Sequence, residues 1–196
     1  IEVGLMCGIV GLVEVTPADD RAARVRRMAR SLAHRGPDDD GFFEDGPVAL
    51  GFRRLAVIDL ETGQQPIVIE DRSAAIVLNG EVYNCRELRR ELEGRGHRFR
   101  SRGDVEVVLR LYAEMGIAAL GRLDGMFALA VWDARTRQLH LARDRFGIKP
   151  LYLWTGDGRA AFASELRALA AGGIPPRREL DPAELRHYLA LGHFSP

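Results

Sequence analysis

Between residues 126 and 163 the chain places four short strand-like stretches in close succession: 126–133 (MFALAVWD), 137–143 (RQLHLAR), 150–154 and 159–163. Each is only hairpin distance from the next, too close for the crossover helix that joins parallel strands. Two further apolar stretches, 7–15 (CGIVGLVEV) and 73–79 (SAAIVLN), read as buried strands, and 48–59 (VALGFRRLAVID) is strand-like although interrupted by charge. Helical patterns lie between these groups rather than after every strand. This order favours an α+β layered architecture in which helices cover antiparallel sheets.

The helices have recognisable starts and faces. Thr16-Pro17 is a hydroxyl cap followed by proline at the first helical position, and the helix it opens runs to about Leu32 with Val25, Met28, Ala29 and Leu32 on one face. Asn84 with Glu87 has capping-box spacing ahead of Leu88 and Leu92, and Gly94 and Gly96 close that helix. Asp104 reads as the cap of a third helix carrying Val105, Val108, Leu109 and Tyr112 to a stop at Gly116. A short helix is expected over 164–171, and Asp181-Pro182-Ala183-Glu184 opens a last one. His34-Arg35-Gly36-Pro37-Asp38 and residues 62–66 are loops by their Gly and Pro content, Asn79-Gly80 is a turn pair, and Gly172-Gly173-Ile174-Pro175-Pro176 is the best linker.

Composition excludes several classes. The 196 residues carry 28 basic and 28 acidic side chains, so no basic face is available to neutralise phosphates or to hold the chain on an anionic membrane. No stretch approaches the ~18 apolar residues of a membrane span. Two cysteines, Cys7 and Cys85, with five scattered histidines give neither a disulfide framework nor metal-ligand spacing, so no metal is expected. Residues 1–15 lack the features of a secretory leader, and the default compartment is a reducing cytoplasm. Lys149 is the only lysine, which leaves 28 − 1 = 27 arginines, so a single arginine is weak evidence for an anion site. Taken singly, the chemistry-bearing residues are equally bland. A cysteine heading a strand is commonly a small buried hydrophobe, and an aspartate at a helix start is commonly a cap.

Together they form a set. Met6-Cys7-Gly8-Ile9-Val10-Gly11 is followed in order by His34–Asp38, Arg54-Leu55-Ala56-Val57-Ile58-Asp59, Asn79-Gly80-Glu81 and Gly103-Asp104-Val105-Glu106. Arg143-Asp144-Arg145-Phe146-Gly147-Ile148-Lys149-Pro150-Leu151-Tyr152 and Phe162-Ala163-Ser164-Glu165-Leu166 complete it. From Cys7 to about residue 170 the chain resembles the N-terminal-nucleophile (class II) glutamine amidotransferases. The HRGPD and RDRFGIKPLY forms resemble the asparagine synthetase (glutamine-hydrolysing) branch.

The resemblance implies a four-layer α/β/β/α sandwich of the N-terminal-nucleophile hydrolase type, and an enzyme that hydrolyses L-glutamine to glutamate and ammonia. It assigns catalysis to the Cys7 thiol, with the α-amine of Cys7 as base, and to an oxyanion hole made by Asn79 and Gly80. It assigns the α-carboxylate of glutamine to Arg54, the α-ammonium to Asp104, and the rest of the pocket to Leu55, Val57, Ile58 and Glu81. Arg53 matches no grip and is expected to be a surface or structural residue, and Cys85 a structural one; the 34–38 loop is expected near the pocket without a catalytic role. The resemblance requires no cofactor for this domain. It implies ATP and Mg in a C-terminal synthetase domain that would receive the ammonia, for an amidation such as aspartate to asparagine. By this reading residues 1–6 are an N-terminal extension, 7–172 the glutaminase domain, and 173–196 a linker with the truncated start of the synthetase domain. Oligomeric state, a homodimer included, stays open. The rival reading is a catalytically silent structural or interaction domain; intact Cys7, Arg54, Asn79, Gly80 and Asp104 count against it.

Overall fold

The computed structural model describes residues 6–15, 20–56, 63–175 and 182–192. Among the described residues, nine strands build two antiparallel sheets. β1 (Gly8–Glu14), β2 (Asp39–Asp45), β3 (Val48–Arg54), β8 (Tyr152–Gly156) and β9 (Arg159–Ala163) form a five-stranded sheet ordered β2-β3-β1-β9-β8. β4 (Ile67–Val68), β5 (Ala74–Val82), β6 (Gly125–Asp133) and β7 (Gln138–Arg143) form a four-stranded sheet in that order. The two sheets face each other. Because side chains alternate along a strand, Ile9, Val48, Leu50, Phe52 and Phe162 of one sheet meet Ala75, Val77, Ala128, Ala130 and Trp132 of the other in a buried inner core.

The opposite faces are covered by helices. α1 (Arg21–Ser31) and α4 (Leu166–Ala171) pack Val25, Met28, Ala29, Ala168 and Leu169 onto Val10, Leu12, Ala49, Ala161 and Ala163. α2 (Cys85–Gly94) and α3 (Asp104–Met115) pack Leu88, Leu92, Val108, Leu109, Leu111 and Tyr112 onto Ile76, Leu78, Leu129 and Val131. The layers are therefore α, β, β, α, as the resemblance implies. A further helix, α5 (Pro182–Leu191), lies near the end of the chain, and none of the described helices is long and apolar enough to cross a membrane.

Several local expectations fail for identifiable reasons. Asn79-Gly80 does not turn the chain: β5 continues to Val82, with Asn79 paired to Ala128 and Gly80 to Phe127. Gly80 is needed there because its φ is +139° and a Cβ would lie 2.0 Å from the Met126 carbonyl oxygen. The Asn84–Glu87 capping box does not form. The Asn84 side chain instead donates to Arg122 O (2.9 Å) and accepts from Asp124 N (3.1 Å), tying α2 to the segment before β6. Gly103, not Asp104, is the cap of α3, which leaves the Asp104 carboxylate free to accept from Val82 N at 2.8 Å.

The strand-like stretch 48–59 ends at Arg54, and residues 57–62 lie outside the described residues, as do Thr16-Pro17 and Asp181. α1 begins at Arg21, four residues after Pro17, with no side-chain cap from Asp20. Ile174 is buried with α1 and α4, so this part of the Gly172–Pro175 stretch packs on the core. β2 carries no strand signal because Asp39-Asp40-Gly41-Phe42-Phe43-Glu44-Asp45 is an edge strand, polar on its open side.

Candidate active site

Cys7 sits immediately before β1, and three segments fix it from different sides. The first is the end of β3: Leu55 N–H donates to Cys7 Sγ (3.4 Å), and the thiol points to Leu55 O (3.7 Å). The second is the 34–38 loop. Arg35, buried, donates from Nε to Cys7 O (3.1 Å) and from Nη1 to Glu165 Oε1 (3.1 Å), while His34 Nε2 contacts the same oxygen at 3.0 Å. The third is the end of β9, where fully buried Ser164 accepts Ile9 N at its Oγ (3.0 Å) and donates its own N–H to Ile9 O (2.9 Å). The HRGPD and FASEL stretches thus brace the nucleophile from behind.

The 34–38 loop is itself seated on β3. Arg53 donates from Nε to Gly36 O (2.9 Å) and from Nη1 to Asp40 Oδ2 (3.1 Å). A Cβ on Gly36 would lie 2.5 Å from the Arg53 carbonyl carbon, so only glycine permits this approach. Asp38 accepts Ala56 N at 2.7 Å and donates its own N–H to Arg54 O at 3.1 Å. Arg53 is structural, as expected from the sequence.

Ahead of Cys7 opens a cavity of about 330 Å³, within the usual size range of small-ligand pockets. It is lined by Cys7, Arg54, Leu55, Asn79, Gly80, Glu81 and Asp104, together with Met6, Gln65, Ser101, Met126, Lys149 and others. Every sequence-predicted site residue that is described lies on this one cavity; Val57 and Ile58 lie outside the described residues. Gln65 is buried and pairs its amide with Leu78 N (2.7 Å) and Leu78 O (3.1 Å), closing the wall beside Asn79.

Asn79 is 1% exposed, and its Nδ2 finds no acceptor among the described residues. A buried amide N–H left unpaired costs about 1–3 kcal/mol. Asn79 is also one of the residues that line the cavity, and an unpaired buried donor in a native site calls for an explanation.

The titratable groups respond to burial. Burial pushes the Cys7 thiol above its ordinary value, opposed by the Leu55 N–H and by the charges of Arg54 and Arg35. Burial also holds the Asp104 carboxyl above the usual carboxylate range, opposed chiefly by the Val82 N–H, with Glu81 adding to the rise. Burial raises the Cys85 thiol as well, and its side chain packs against the α2–α3 core. Arg54 is buried at the cavity wall.

Sequence reasoning misses three residues of this region. Arg35 is placed near the pocket without a role, yet it grips the Cys7 carbonyl. Asp144 stands only as part of a motif; its carboxylate accepts Phe127 N (3.2 Å), Phe146 N (3.1 Å), Ile148 N (2.9 Å) and Lys149 N (3.1 Å), which locks the 144–149 loop beside the Gly80–Phe127 pair. Lys149 itself stands out only as the lone lysine.

The sequence model of the glutamine amidotransferase domain family matches residues 6–196. The chain belongs to that family. It is 42% identical over 191 residues to asparagine synthetase [glutamine-hydrolyzing] 1 of Bacillus subtilis, covering 95% of this chain and 30% of that protein. It is 40% identical over 167 residues to the corresponding synthetase 1 of Arabidopsis thaliana, covering 84% of this chain and 28% of that one. The chain therefore spans under a third of the length of these curated relatives. Among solved structures, the glutamine phosphoribosylpyrophosphate amidotransferase of B. subtilis superposes with a TM-score of 0.70 at 21% identity, over 85% of this chain and 44% of the other. At that identity the likeness shows the fold.

Proposed function

We propose that this domain hydrolyses the side-chain amide of L-glutamine, using Cys7 as both nucleophile and base. The observation that carries the reading is the buried, unpartnered Asn79 Nδ2 on the same cavity as the Cys7 thiol, Arg54 and Asp104.

The chemistry follows from these groups. The Arg54 guanidinium takes the substrate α-carboxylate in a planar fork, and Asp104 takes the α-ammonium. That leaves the side-chain carbonyl beside Cys7 Sγ. The thiol attacks the amide carbon and its proton passes to the α-amine of Cys7, which at an ordinary pKa of ~7.7–8.0 is partly unprotonated at neutral pH. The tetrahedral oxyanion accepts hydrogen bonds from Asn79 Nδ2 and the Gly80 N–H. Collapse breaks the C–N bond, and the α-ammonium returns its proton to the departing ammonia. Water then attacks the thioester, giving up a proton to the same amine; glutamate leaves and the thiol is restored. Both halves need only one nucleophile, one amine and one oxyanion hole, which accounts for the absence of a Cys-His arrangement in the motif set.

Two consequences extend the reading. The α-amine must be free, so the reactive form begins at Cys7. In the chain as given Met6 holds that nitrogen in an amide, and Met6 N donates to Arg35 O at 3.2 Å while the residue lines the cavity. An amide nitrogen is conjugated and cannot take the proton. The ammonia would be consumed by a synthetase region of a longer parent protein, with ATP and Mg acting there, in an amidation such as aspartate to asparagine. The test is glutamate release from L-glutamine by a chain beginning at Cys7, with the Cys7→Ala variant of that trimmed chain as the inactive control; a Cys7 form with no glutaminase activity contradicts the proposal.

A further inference from the structure

The chain has 28 basic side chains and uses arginine for all but one of them. The exception, Lys149, is 9% exposed and lies on the cavity with Cys7. Its backbone is held from both sides. Its N–H goes to Asp144 Oδ2 (3.1 Å) and its carbonyl accepts Arg143 Nε (2.6 Å), while Arg143 also reaches Gly147 O. Among the described residues its ammonium meets no carboxylate; its polar contact is the thioether of Met6, with Nζ 3.2 Å from Sδ. Thioether sulfur is a weak acceptor, and a buried ammonium without an anion is costly. Met6 is bonded directly to the nitrogen of Cys7. In a chain that begins at Cys7 the Met6 contact is gone, and the Lys149 ammonium and the Cys7 amine share one cavity.

We propose that Lys149 is a positioning residue of the nucleophile: a fixed point charge beside the nitrogen of Cys7 that biases this amine toward its unprotonated, proton-accepting form. This inference rests on the reading of the Cys7 amine as base. The other charged groups around that nitrogen do not make Lys149 redundant. Asp104 from α3 and Glu81 from β5 line the same cavity and favour the protonated amine. Arg54 at the end of β3 and Arg35, which donates to Cys7 O and Glu165, add positive charge of their own that these two carboxylates oppose. A like charge close by disfavours protonation.

The test uses chains beginning at Cys7, with Lys149 retained, Lys149→Met, Lys149→Gln and Lys149→Arg. In the pH profile of kcat/KM for glutamine, the acidic limb should move up by about one pH unit in the two neutral variants and return toward the parent in Lys149→Arg. Thermal melts identify any variant that fails to fold, and Gln then stands in for Met. A parallel NMR titration of the N-terminal amine, in trimmed chains carrying Cys7→Ala with and without Lys149→Gln, should show the same upward shift independently of turnover. An unmoved limb and an unmoved amine titration would overturn the inference. A parent chain with no glutaminase activity but a Lys149-dependent amine titration would instead refute the proposed function and leave the role of Lys149 standing.

Discussion

Replacing Asn79 with alanine should separate catalysis from stability. The side chain is 1% exposed and its Nδ2 is unpaired in the resting site, so truncation removes a donor whose burial costs about 1–3 kcal/mol. It also leaves a void of a few atoms, which costs on the order of 1 kcal/mol. These effects oppose each other, and for a domain of this size a residual of ~1 kcal/mol is about 2–4 °C in Tm. The backbone pairing of Asn79 with Ala128 is unaffected by the side chain. In the transition state, by contrast, loss of one oxyanion donor costs about 2.7–4 kcal/mol, or roughly 10²–10³ in kcat. KM should hardly move, because the interaction strengthens only as charge develops on the oxygen. The assay is steady-state glutamate release from chains beginning at Cys7, paired with thermal melts. A kcat within about threefold of the parent would refute the oxyanion assignment, given the size of the expected loss. A large fall in Tm would refute the argument that this side chain is held at a cost to stability. Gly80→Ala cannot make the same separation, because its Cβ would strike the Met126 carbonyl oxygen at 2.0 Å and damage the sheet.

Arg54→Ala should raise KM for glutamine by an amount worth about 2–5 kcal/mol, the usual cost of removing one partner of a buried charge pair. Arg53→Ala should leave KM unchanged and lower Tm by a few degrees, since its ion pair with Asp40 is solvent-facing and worth about 0–1 kcal/mol; equal kinetic effects in the two variants would misplace the carboxylate grip. Because burial holds Asp104 above the ordinary carboxylate range, KM should rise as pH falls through that elevated value, at a higher pH than a ~3.9 carboxyl would give, and Asp104→Asn should raise KM at all pH and remove this limb. Burial alone would raise Glu106, but bonds from Ser101 N and Oγ, Arg100 N and Arg110 bring it below its ordinary value. Its contribution to stability is therefore present above about pH 4.3 and lost as pH falls through the lower folded value, so Glu106→Gln should flatten Tm against pH in that window.

The layered fold was legible because strand length and apolar patterning are local properties, and β6, β7, β8 and β9 appear within a residue or two of their sequence-based ranges. β2 was not, because an edge strand reads as polar turn sequence until its partner β3 is known. Asn79-Gly80 misled for the opposite reason. The pair carries a turn signal, but the glycine serves the close approach of β6 and the asparagine serves the cavity. That the named residues gather on one cavity was legible through the resemblance, since their motifs are long and ordered. What holds them was not: Asp144 acts on four backbone N–H groups and Arg35 on a backbone carbonyl, and main-chain partners leave no mark in a pattern of side chains. The capping reading of Asn84 failed similarly, because a side chain that suits a helix start also suits a distant loop.

The nitrogen of Cys7 is the centre of the proposed chemistry, and its state can be set by where the chain begins. Glutamate release from L-glutamine should be measured for two preparations whose N-termini are verified by mass spectrometry, one intact from Ile1 and one beginning at Cys7. The α-amine mechanism predicts turnover from the Cys7 form and little or none from the intact form, in which that nitrogen is an amide and Met6 lies in the cavity. Equal rates from both would contradict it.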